Sequence, residues 1–263
     1  MTSEYLKFAE TIAREAGELL KEELPKEHRI AFKGEINIVT ETDQMSEELL
    51  VRRIRQSFPR HDIMTEESAG FQCGSTYRWI IDPLDGTTNY AHGYPVFCVS
   101  VALEIAAEIR CGAIYNPMTD EMFIAEKHEG AFLNGRPLCV SKTQELSRSL
   151  LATGFPYDIR ESKDNNINYF IGMALQAQAI RRAGSAALDL AYVAAGRFDG
   201  FWELKLMPWD TAAGWLMITE AGGGVSDLHG HGYDLTSPNI VATNGKIHDK
   251  LVAALCSCAN IQV

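Results

Sequence analysis

Apolar residues recur at helical spacing in two segments before residue 60. Between residues 4 and 22, after Ser3, they fall at intervals of three and four, which predicts an amphipathic α-helix. A second apolar face predicts another helix, which Thr42 or Asp43 caps and Pro59 ends. The apolar positions of this second helix include Met45, Leu49, Ile54 and Phe58.

Short apolar runs then indicate β-strands. We predict strands over residues 62–65, 77–82, 95–105 and 108–116. A hairpin is predicted in EMFIAEK and GAFLNG, with a second tight turn at Asn134-Gly135. From about residue 148 strands alternate with helices: strands in LLATG, AQAIRR and GFWEL, and helices over residues 165–177, 185–195 and 210–221.

The polar segment 141–149 separates these two patterns. We therefore predict two sub-domains with a cleft between them. Residues 1–147 would form an α+β sub-domain, and residues 148–263 would form an α/β sub-domain.

Composition and charge narrow the function classes. The 263 residues are 46% hydrophobic and 22% charged, as in ordinary globular proteins. No apolar run approaches the roughly 18 residues of a membrane span, and we expect a cytoplasmic protein with no membrane partner. The formal net charge of -11 disfavours nucleic acid as a partner. The six cysteines include no CxxC pair and are expected to be reduced thiols.

Acidic residues stand where several apolar segments end. Glu66 follows DIMT, Asp82 and Asp85 follow YRWII, and Asp210 follows MPW before an apolar helix. Taken alone, each has a simpler interpretation, such as a solvated loop acid or a helix N-cap. Together, without histidine or thiolate, they favour a hard cation, Mg2+ rather than Zn2+.

The segment WIIDPLDGTTN can bring metal and phosphate side by side. Pro83 restrains the chain, so that the two flanking aspartates and the carbonyl of Leu84 can face one point. Gly86 lets the backbone approach a ligand, and the N–H groups of Gly86 and Thr87 can bind phosphate oxygens.

Three motifs resemble signatures of the inositol monophosphatase family. DPLDGTTNY at residues 82–90, followed by HGYP, resembles the first signature. WDTAAG at residues 209–214, which continues to EAGG, resembles the second. Glu66-Glu67-Ser68 is similar to the upstream metal-binding acid of the family. The motifs stand in family order, and the resemblance covers about residues 5–255.

The resemblance implies a layered αβαβα sandwich of the α+β class, commonly a homodimer. It implies Mg2+-dependent phosphomonoester hydrolysis, usually lithium-sensitive, with two or three ions for which Mn2+ could substitute. The metal ligands that it implies are Glu66, Asp82, the Leu84 carbonyl, Asp85 and Asp210.

The resemblance also implies roles in catalysis and substrate binding. Thr87 and Asp43 would assist Glu66 in activating a water molecule held by the metal. Lys33 lies near the mobile-loop lysine of the family, although its spacing to Asp43 is one residue shorter. Substrate contacts are implied at Asp85, Gly86, Thr87, Gly184, Ser185, Ala186, Glu203 and Asp210.

We expect hydrolysis of myo-inositol 1-phosphate to inositol and phosphate. Fructose 1,6-bisphosphate, histidinol phosphate and 3'-phosphoadenosine 5'-phosphate are alternatives within the same fold, and the AHGYP continuation favours the inositol type. A non-catalytic protein that binds a phosphorylated ligand or a partner is the alternative from another class. Because all four metal acids are present, we favour the enzyme. No serine stands in a G-x-S-x-G elbow, which argues against a serine hydrolase.

Overall fold

The computed structural model describes residues 2–26, 30–32 and 38–258. Lys33 lies outside these residues. The helices within them are α1 (Glu4–Glu23), α2 (Glu41–Ser57), α3 (Thr87–Ala91), α4 (Ile167–Ala174), α5 (Ala186–Ala194), α6 (Pro208–Glu220) and α7 (His248–Cys258), with a short 3-10 helix at Leu146–Arg148.

Strands β1 (Ile30–Phe32) and β2 (Ile38–Thr40) form a small antiparallel pair. The first large sheet holds seven strands in chain order: β3 (Asp62–Thr65), β4 (Tyr77–Asp85), β5 (Cys98–Ile105), β6 (Glu108–Asn116), β7 (Glu121–Glu126), β8 (Gly130–Leu133) and β9 (Arg136–Pro137). Only β3 and β4 are parallel neighbours in this sheet, and its other described neighbours are antiparallel.

The second large sheet has five strands in the order β11-β10-β12-β14-β13. Strand β10 is parallel to both of its neighbours, whereas β14 is antiparallel to β12 and β13. The strands are β10 (Leu150–Thr153), β11 (Ala179–Arg181), β12 (Gly200–Leu204), β13 (Gly224–Ser226) and β14 (Asn239–Thr243).

Both faces of the first sheet are covered by helices. Because successive side chains of a strand point to opposite faces, Trp79 and Ile81 of β4 face one side and Ile80 faces the other. On the Trp79 side, the sheet packs against Leu20 of α1 and Leu50 of α2 in one buried cluster. Ile80 belongs to a second cluster, which includes α5 and α6.

Helices α5 and α6 lie between the two large sheets. Their buried cluster also contains Phe201 of β12 and Ile240 of β14. The other face of the second sheet packs on α4 and α7 through Trp202, Leu251 and Leu255. The layers therefore run helix, sheet, helix, sheet, helix, which confirms the predicted αβαβα sandwich.

Small residues allow the central layers to approach closely. A Cβ on Gly214 of α6 would lie 2.5 Å from the Cβ of Leu190 in α5. A Cβ on Gly112 of β6 would lie 3.0 Å from the Cβ of Ala213 in α6. The close fit of α6 therefore depends on glycine at both positions.

The structure confirms most predicted elements, including the hairpin and the turn at Asn134-Gly135. All six cysteines are unpaired thiols, as predicted. The chain passes from the first sheet to the second between residues 137 and 150, around the polar segment. The division into sub-domains at residues 147 and 148 stays a prediction.

Two predicted helix starts were wrong. The cap of α2 is Thr40, not Thr42 or Asp43, because Asp43 is the third helical residue and closes a capping box. Asp210 is likewise the third residue of α6, which begins at Pro208, so the N-cap interpretation of Asp210 is wrong.

Three further boundaries differ from their predictions. Strand β4 continues to Asp85 instead of ending at residue 82, and β5 begins only at Cys98. Helix α4 spans Ile167–Ala174, shorter than the predicted 165–177. Apolar content alone does not mark the two strand ends, because apolar Leu84 lies beyond the predicted end of β4 and apolar Val96 and Phe97 precede the observed start of β5.

Candidate metal centre

Three acids meet at the carboxyl end of β4. One carboxylate oxygen from each of Asp82, Asp85 and Asp210 lies within 4.8 Å of the others. The three acids line a cavity of about 480 Å3, to which both large sheets contribute residues. This cavity also contains the other predicted metal and substrate residues, namely Glu66, Leu84, Gly86, Thr87, Gly184, Ser185, Ala186 and Glu203.

The pairing of β3 with β4 places Glu66. The two strands are parallel, with Thr65 opposite Ile81, so the next residues, Glu66 and Asp82, emerge side by side. Glu66 is partly buried and its charge helps to raise the pKa of Asp82. Glu66 therefore borders the group of three acids.

A break in the pairing of β4 with β5 lets both aspartates reach the cavity. Asp82 pairs with Ser100 and Asp85 with Cys98, so β4 has one residue more than β5 across this interval. Without the extra residue, side chains three positions apart on a strand would face opposite sides. Asp82 Oδ1 also accepts a hydrogen bond of 3.0 Å from the N–H of Leu84, which holds the turn.

The first turn of α5 binds Asp85. Asp85 Oδ2 accepts hydrogen bonds from Ser185 Oγ at 2.6 Å and from the Ala187 N–H at 2.8 Å. Ser185 is the N-cap of α5, and a helix N-terminus favours negative charge. The hydroxyl of Ser185 therefore orients an acid of the cluster, and its predicted contact with substrate stays a prediction.

Asp210 is held by the start of α6. Its Oδ2 accepts a hydrogen bond of 2.7 Å from the N–H of Met207. Burial raises the pKa of Asp210 well above its usual range, and the charge of Asp85 raises it further. Burial likewise raises the pKa of Asp82, followed by the charges of Glu66 and Asp85.

The chemistry of these donors fits a hard divalent cation. The group offers carboxylate oxygens and contains no imidazole, and Leu84, whose carbonyl is the predicted backbone ligand, lines the same cavity. Without a cation, burial and mutual repulsion disfavour ionisation of the acids, and a bound cation would offset both effects.

Gly86 follows the acids in a left-handed conformation, with φ of 95°. A Cβ there would lie 2.9 Å from the carbonyl oxygen of Val96, so the turn requires glycine. The next residue, Thr87, donates a hydrogen bond of 2.9 Å from Oγ1 to Asp43 Oδ1. The predicted pair of Thr87 and Asp43 is therefore in contact.

Asp43 is fixed from its other side by the capping box. Its Oδ2 accepts hydrogen bonds from the N–H and the hydroxyl of Thr40, at 2.8 and 2.5 Å. Burial raises the pKa of Asp43, and these hydrogen bonds oppose that effect. Asp43 itself is fully buried, and among the described residues it is Thr87 that connects it to the cavity.

A model of the inositol monophosphatase family matches residues 1–260. The chain belongs to the inositol monophosphatase family. It is 46% identical over 234 residues to the inositol-1-monophosphatase of Synechocystis sp., covering 88% of this chain and 82% of that protein. It is 43% identical over 252 residues to Nus factor SuhB of Escherichia coli K12, covering 94% of each.

The fold agrees with a solved member of the family. The structure of inositol monophosphatase from Anabaena (Nostoc) sp. PCC 7120 superimposes with a TM-score of 0.89 at 45% identity, covering 96% of this chain and 95% of that one. Inositol monophosphatase family members are metal-dependent phosphatases, and the acid cluster of this chain is consistent with that dependence. In the part of the chain that the structure describes, no helix is both long and apolar enough to cross a membrane.

On the side of the second sheet, the cavity wall contains a further pair of acids. Glu203 of β12 is buried, and a Cβ on Gly154 would overlap its carboxylate. Burial raises the pKa of Glu203 well above its usual range, and Asp189 and Asp85 add to that effect. The sequence predicted Glu203 but not Gly154, whose role depends on this close approach.

Asp189 is a second residue that the sequence analysis missed. It lies one turn after Ser185 on α5 and lines the same cavity. It is 2% exposed, and no described residue donates a hydrogen bond to its Oδ1. A charged residue inside the apolar run AALDLAYVA was the available signal, since buried acids are rare without a function or a partner.

Proposed function

We propose that this protein hydrolyses phosphate monoesters of small polyols, with Mg2+ as the metal and myo-inositol 1-phosphate as the preferred substrate. The observation that carries the proposal is the meeting of Asp82, Asp85 and Asp210 within 4.8 Å in a cavity that also contains Glu203. A volume of about 480 Å3 is in the range of pockets for small ligands.

The metal would be held by oxygen ligands from the first sheet and from α6: Glu66, Asp82, the Leu84 carbonyl, Asp85 and Asp210. Bound there, Mg2+ would lower the pKa of water and neutralise charge on the phosphate and the leaving oxygen. The hydrogen bonds to Asp82, Asp85 and Asp210 hold the carboxylates in place before any ligand arrives.

Gly86 and Thr87 are proposed to bind the phosphate. The left-handed Gly86 turns the backbone at the end of β4, where two successive N–H groups can point at an anion. The hydroxyl of Thr87 can donate its single proton to Asp43 Oδ1 at 2.9 Å or to the Leu84 carbonyl at 3.1 Å. In either case its lone pairs remain to accept a hydrogen bond from water.

Glu66 is the proposed general base for that water. It emerges beside Asp82 and lines the cavity, within reach of the place where water and phosphate would meet. Thr87 and Asp43 would orient the water, Glu66 would take its proton, and the oxygen would attack phosphorus opposite the leaving alkoxide. With these roles, water is the nucleophile and no nucleophilic side chain is needed.

Substrate specificity is assigned to the wall formed by the second sheet and α5. Glu203 can accept hydrogen bonds from substrate hydroxyls, because carboxylates accept strongly from such donors. Gly184, Ser185 and Ala186 line the same wall, and we propose that they contact the substrate ring through their backbone.

A phosphate-release assay over a substrate panel tests the proposal. The panel contains myo-inositol 1-phosphate, fructose 1,6-bisphosphate, histidinol phosphate and 3'-phosphoadenosine 5'-phosphate, each with Mg2+, with Mn2+ or with a chelator. We expect Mg2+-dependent release with the highest kcat/KM for the inositol ester. A higher kcat/KM for a different ester would contradict the proposed substrate. No phosphate release from any ester of the panel would contradict the proposal that the protein is a phosphatase.

A second candidate is a role as a Nus factor. It is favoured by the 43% identity to Nus factor SuhB over 94% of both chains. The complete set of metal-binding acids favours hydrolysis as the primary function. The homodimer and the lithium sensitivity stay predictions.

A further inference from the structure

One face of α2 contacts all the segments of the first sheet that carry proposed metal ligands. Asp43 accepts from Thr87, just after Asp85. The two other contacts come from Ser46 and Glu47, which lie three and four positions after Asp43 and therefore share its side of the helix.

Glu47 holds the backbone on both sides of Glu66. Its Oε2 accepts a hydrogen bond of 2.6 Å from Thr65 Oγ1 and one of 2.9 Å from the N–H of Glu67. Glu47 is 7% exposed and Thr65 is buried, so water competes little for these bonds. The Glu47 carboxylate thus binds the neighbours of Glu66 on both sides.

Ser46 holds the strand that carries the aspartates. Its hydroxyl donates a hydrogen bond of 2.7 Å to the carbonyl oxygen of Pro83, and the contact is buried. Pro83 lies between Asp82 and Leu84, where the pairing of β4 with β5 shifts. Ser46 therefore supplies a donor to a carbonyl inside the irregular part of the strand.

The rest of α2 is fixed in the core. Leu50 and Ile54 continue the buried face of the helix and belong to the same cluster as α1 and Trp79. Because this end of the helix is packed, its first turns can serve as a rigid support for the segments that Ser46 and Glu47 bind.

We propose that Ser46 and Glu47 are positioning residues that set the separation between Glu66 and the Asp82–Asp85 segment, and thereby the cation affinity of the site. The proposal rests on the proposed function. Its physical basis is that Mg2+ demands a near-ideal arrangement of oxygens, so a small displacement of one segment weakens binding. Groups that orient metal ligands typically affect affinity about 10- to 100-fold.

Calorimetric titration of metal-free protein with Mg2+ tests the proposal. Glu47→Leu removes the oxygen that accepts both hydrogen bonds, and we expect the Kd for Mg2+ to rise about tenfold or more. Glu47→Gln keeps an oxygen that can accept from Thr65 and Glu67, and should restore affinity to within about threefold of wild type. Glu48→Leu, at the next and exposed position, is the matched control and should bind as wild type.

Ser46→Ala and Thr65→Val remove one hydrogen bond each with little change in volume, and each should also raise the Kd. Urea unfolding in the absence of metal separates these effects from a loss of fold. Wild-type Kd values in folded Glu47→Leu, Ser46→Ala and Thr65→Val would overturn the inference; if Glu47→Leu does not fold, the other two decide it. No Mg2+ binding by wild type would instead contradict the proposed function.

Discussion

Glu203 and the acids of the first sheet share one cavity but are assigned different tasks. Asp82, Asp85 and Asp210 converge on one point, whereas Glu203 lies on β12 of the second sheet against Gly154. This separation suggests that the chemistry and the recognition of hydroxyls can be changed independently, which a single substitution can test.

Glu203→Gln should lower kcat/KM for myo-inositol 1-phosphate about ten- to a hundredfold. A charge-assisted hydrogen bond contributes about 1.5–3 kcal/mol, and each 1.4 kcal/mol corresponds to about tenfold. The loss should be much smaller for p-nitrophenyl phosphate, which has no ring hydroxyls. The exposed Glu161→Gln serves as control. An equal drop with both substrates would place Glu203 among the metal or phosphate ligands, and no change with either would make it a structural acid.

Single residues differ in how far the sequence could reveal them. The sequence predicts Asp82, Asp85 and Asp210 because they stand where apolar segments end and within motifs that resemble family signatures. The supporting contacts could not be found in this way, since the bond from Ser46 to Pro83 joins residues 37 positions apart. Such contacts depend on how α2 packs on β4, which periodicity alone does not specify.

Helices α5 and α6 determine how closely the two large sheets can approach each other. The N-terminus of α5 binds Asp85 and the first turn of α6 provides Asp210, so their mutual packing also places two acids of the cluster. The contact depends on Gly214, where a Cβ would lie 2.5 Å from that of Leu190.

Gly214→Ala should lower the free energy of unfolding by about 1–3 kcal/mol, as for overpacked cores. Alanine is the better helix former by about 1 kcal/mol, so the sign of the change shows whether the contact is as close as described. Urea unfolding measures this change in the free energy of unfolding. Leu190→Ala makes room, and the double variant should lose less than the sum of the single losses. Gly214→Ala at wild-type stability or above would contradict this packing.

At the level of elements, the sequence pattern predicts where most strands and helices lie but not where they begin and end. Trp79, Ile80 and Ile81 form an apolar run that is buried on both faces of β4, so the strand pattern is strong there. Thr40 was missed as the cap of α2 because Thr42 and Asp43 also have capping side chains. Only the hydrogen bonds between Thr40 and Asp43 distinguish them.

The whole molecule combines a net charge of -11 with a concentrated group of acids, of which Asp82 and Asp85 are buried and Asp210 is half-buried. Burial and repulsion within that group oppose folding when the acids are ionised. A cation that neutralises the acids and binds only the folded state should therefore stabilise the protein by mass action.

Mg2+ should therefore raise the Tm, and Mg2+ with phosphate should raise it further. At about a hundred times the Kd, ligand binding adds about 2.7 kcal/mol, which corresponds to several degrees for a chain of this size. Differential scanning calorimetry measures the shift. Sodium chloride at matched ionic strength controls for general screening of the negative charge. An unchanged Tm up to millimolar Mg2+ would argue strongly against the site.

The fold and the site also depend on each other at this scale. The αβαβα sandwich was expected from the resemblance, and the layers confirm it. The cavity requires both sheets, since Asp85 and Glu203 come from different ones. Its shape depends on the packing of α5 and α6 between them, which no local pattern in the sequence specifies.

The most direct test of the central claim is phosphate release from myo-inositol 1-phosphate by Asp85→Asn during a Mg2+ titration. The substitution keeps an oxygen for the bonds from Ser185 and Ala187 while it removes one charge from the metal site. We predict that Asp85→Asn has the free energy of unfolding of wild type. Its turnover should be lower by about a hundredfold or more even at high Mg2+, because several kcal/mol of charge stabilisation is lost. Exposed Asp164→Asn should behave as wild type. Undiminished turnover by folded Asp85→Asn would contradict the assignment of the metal centre.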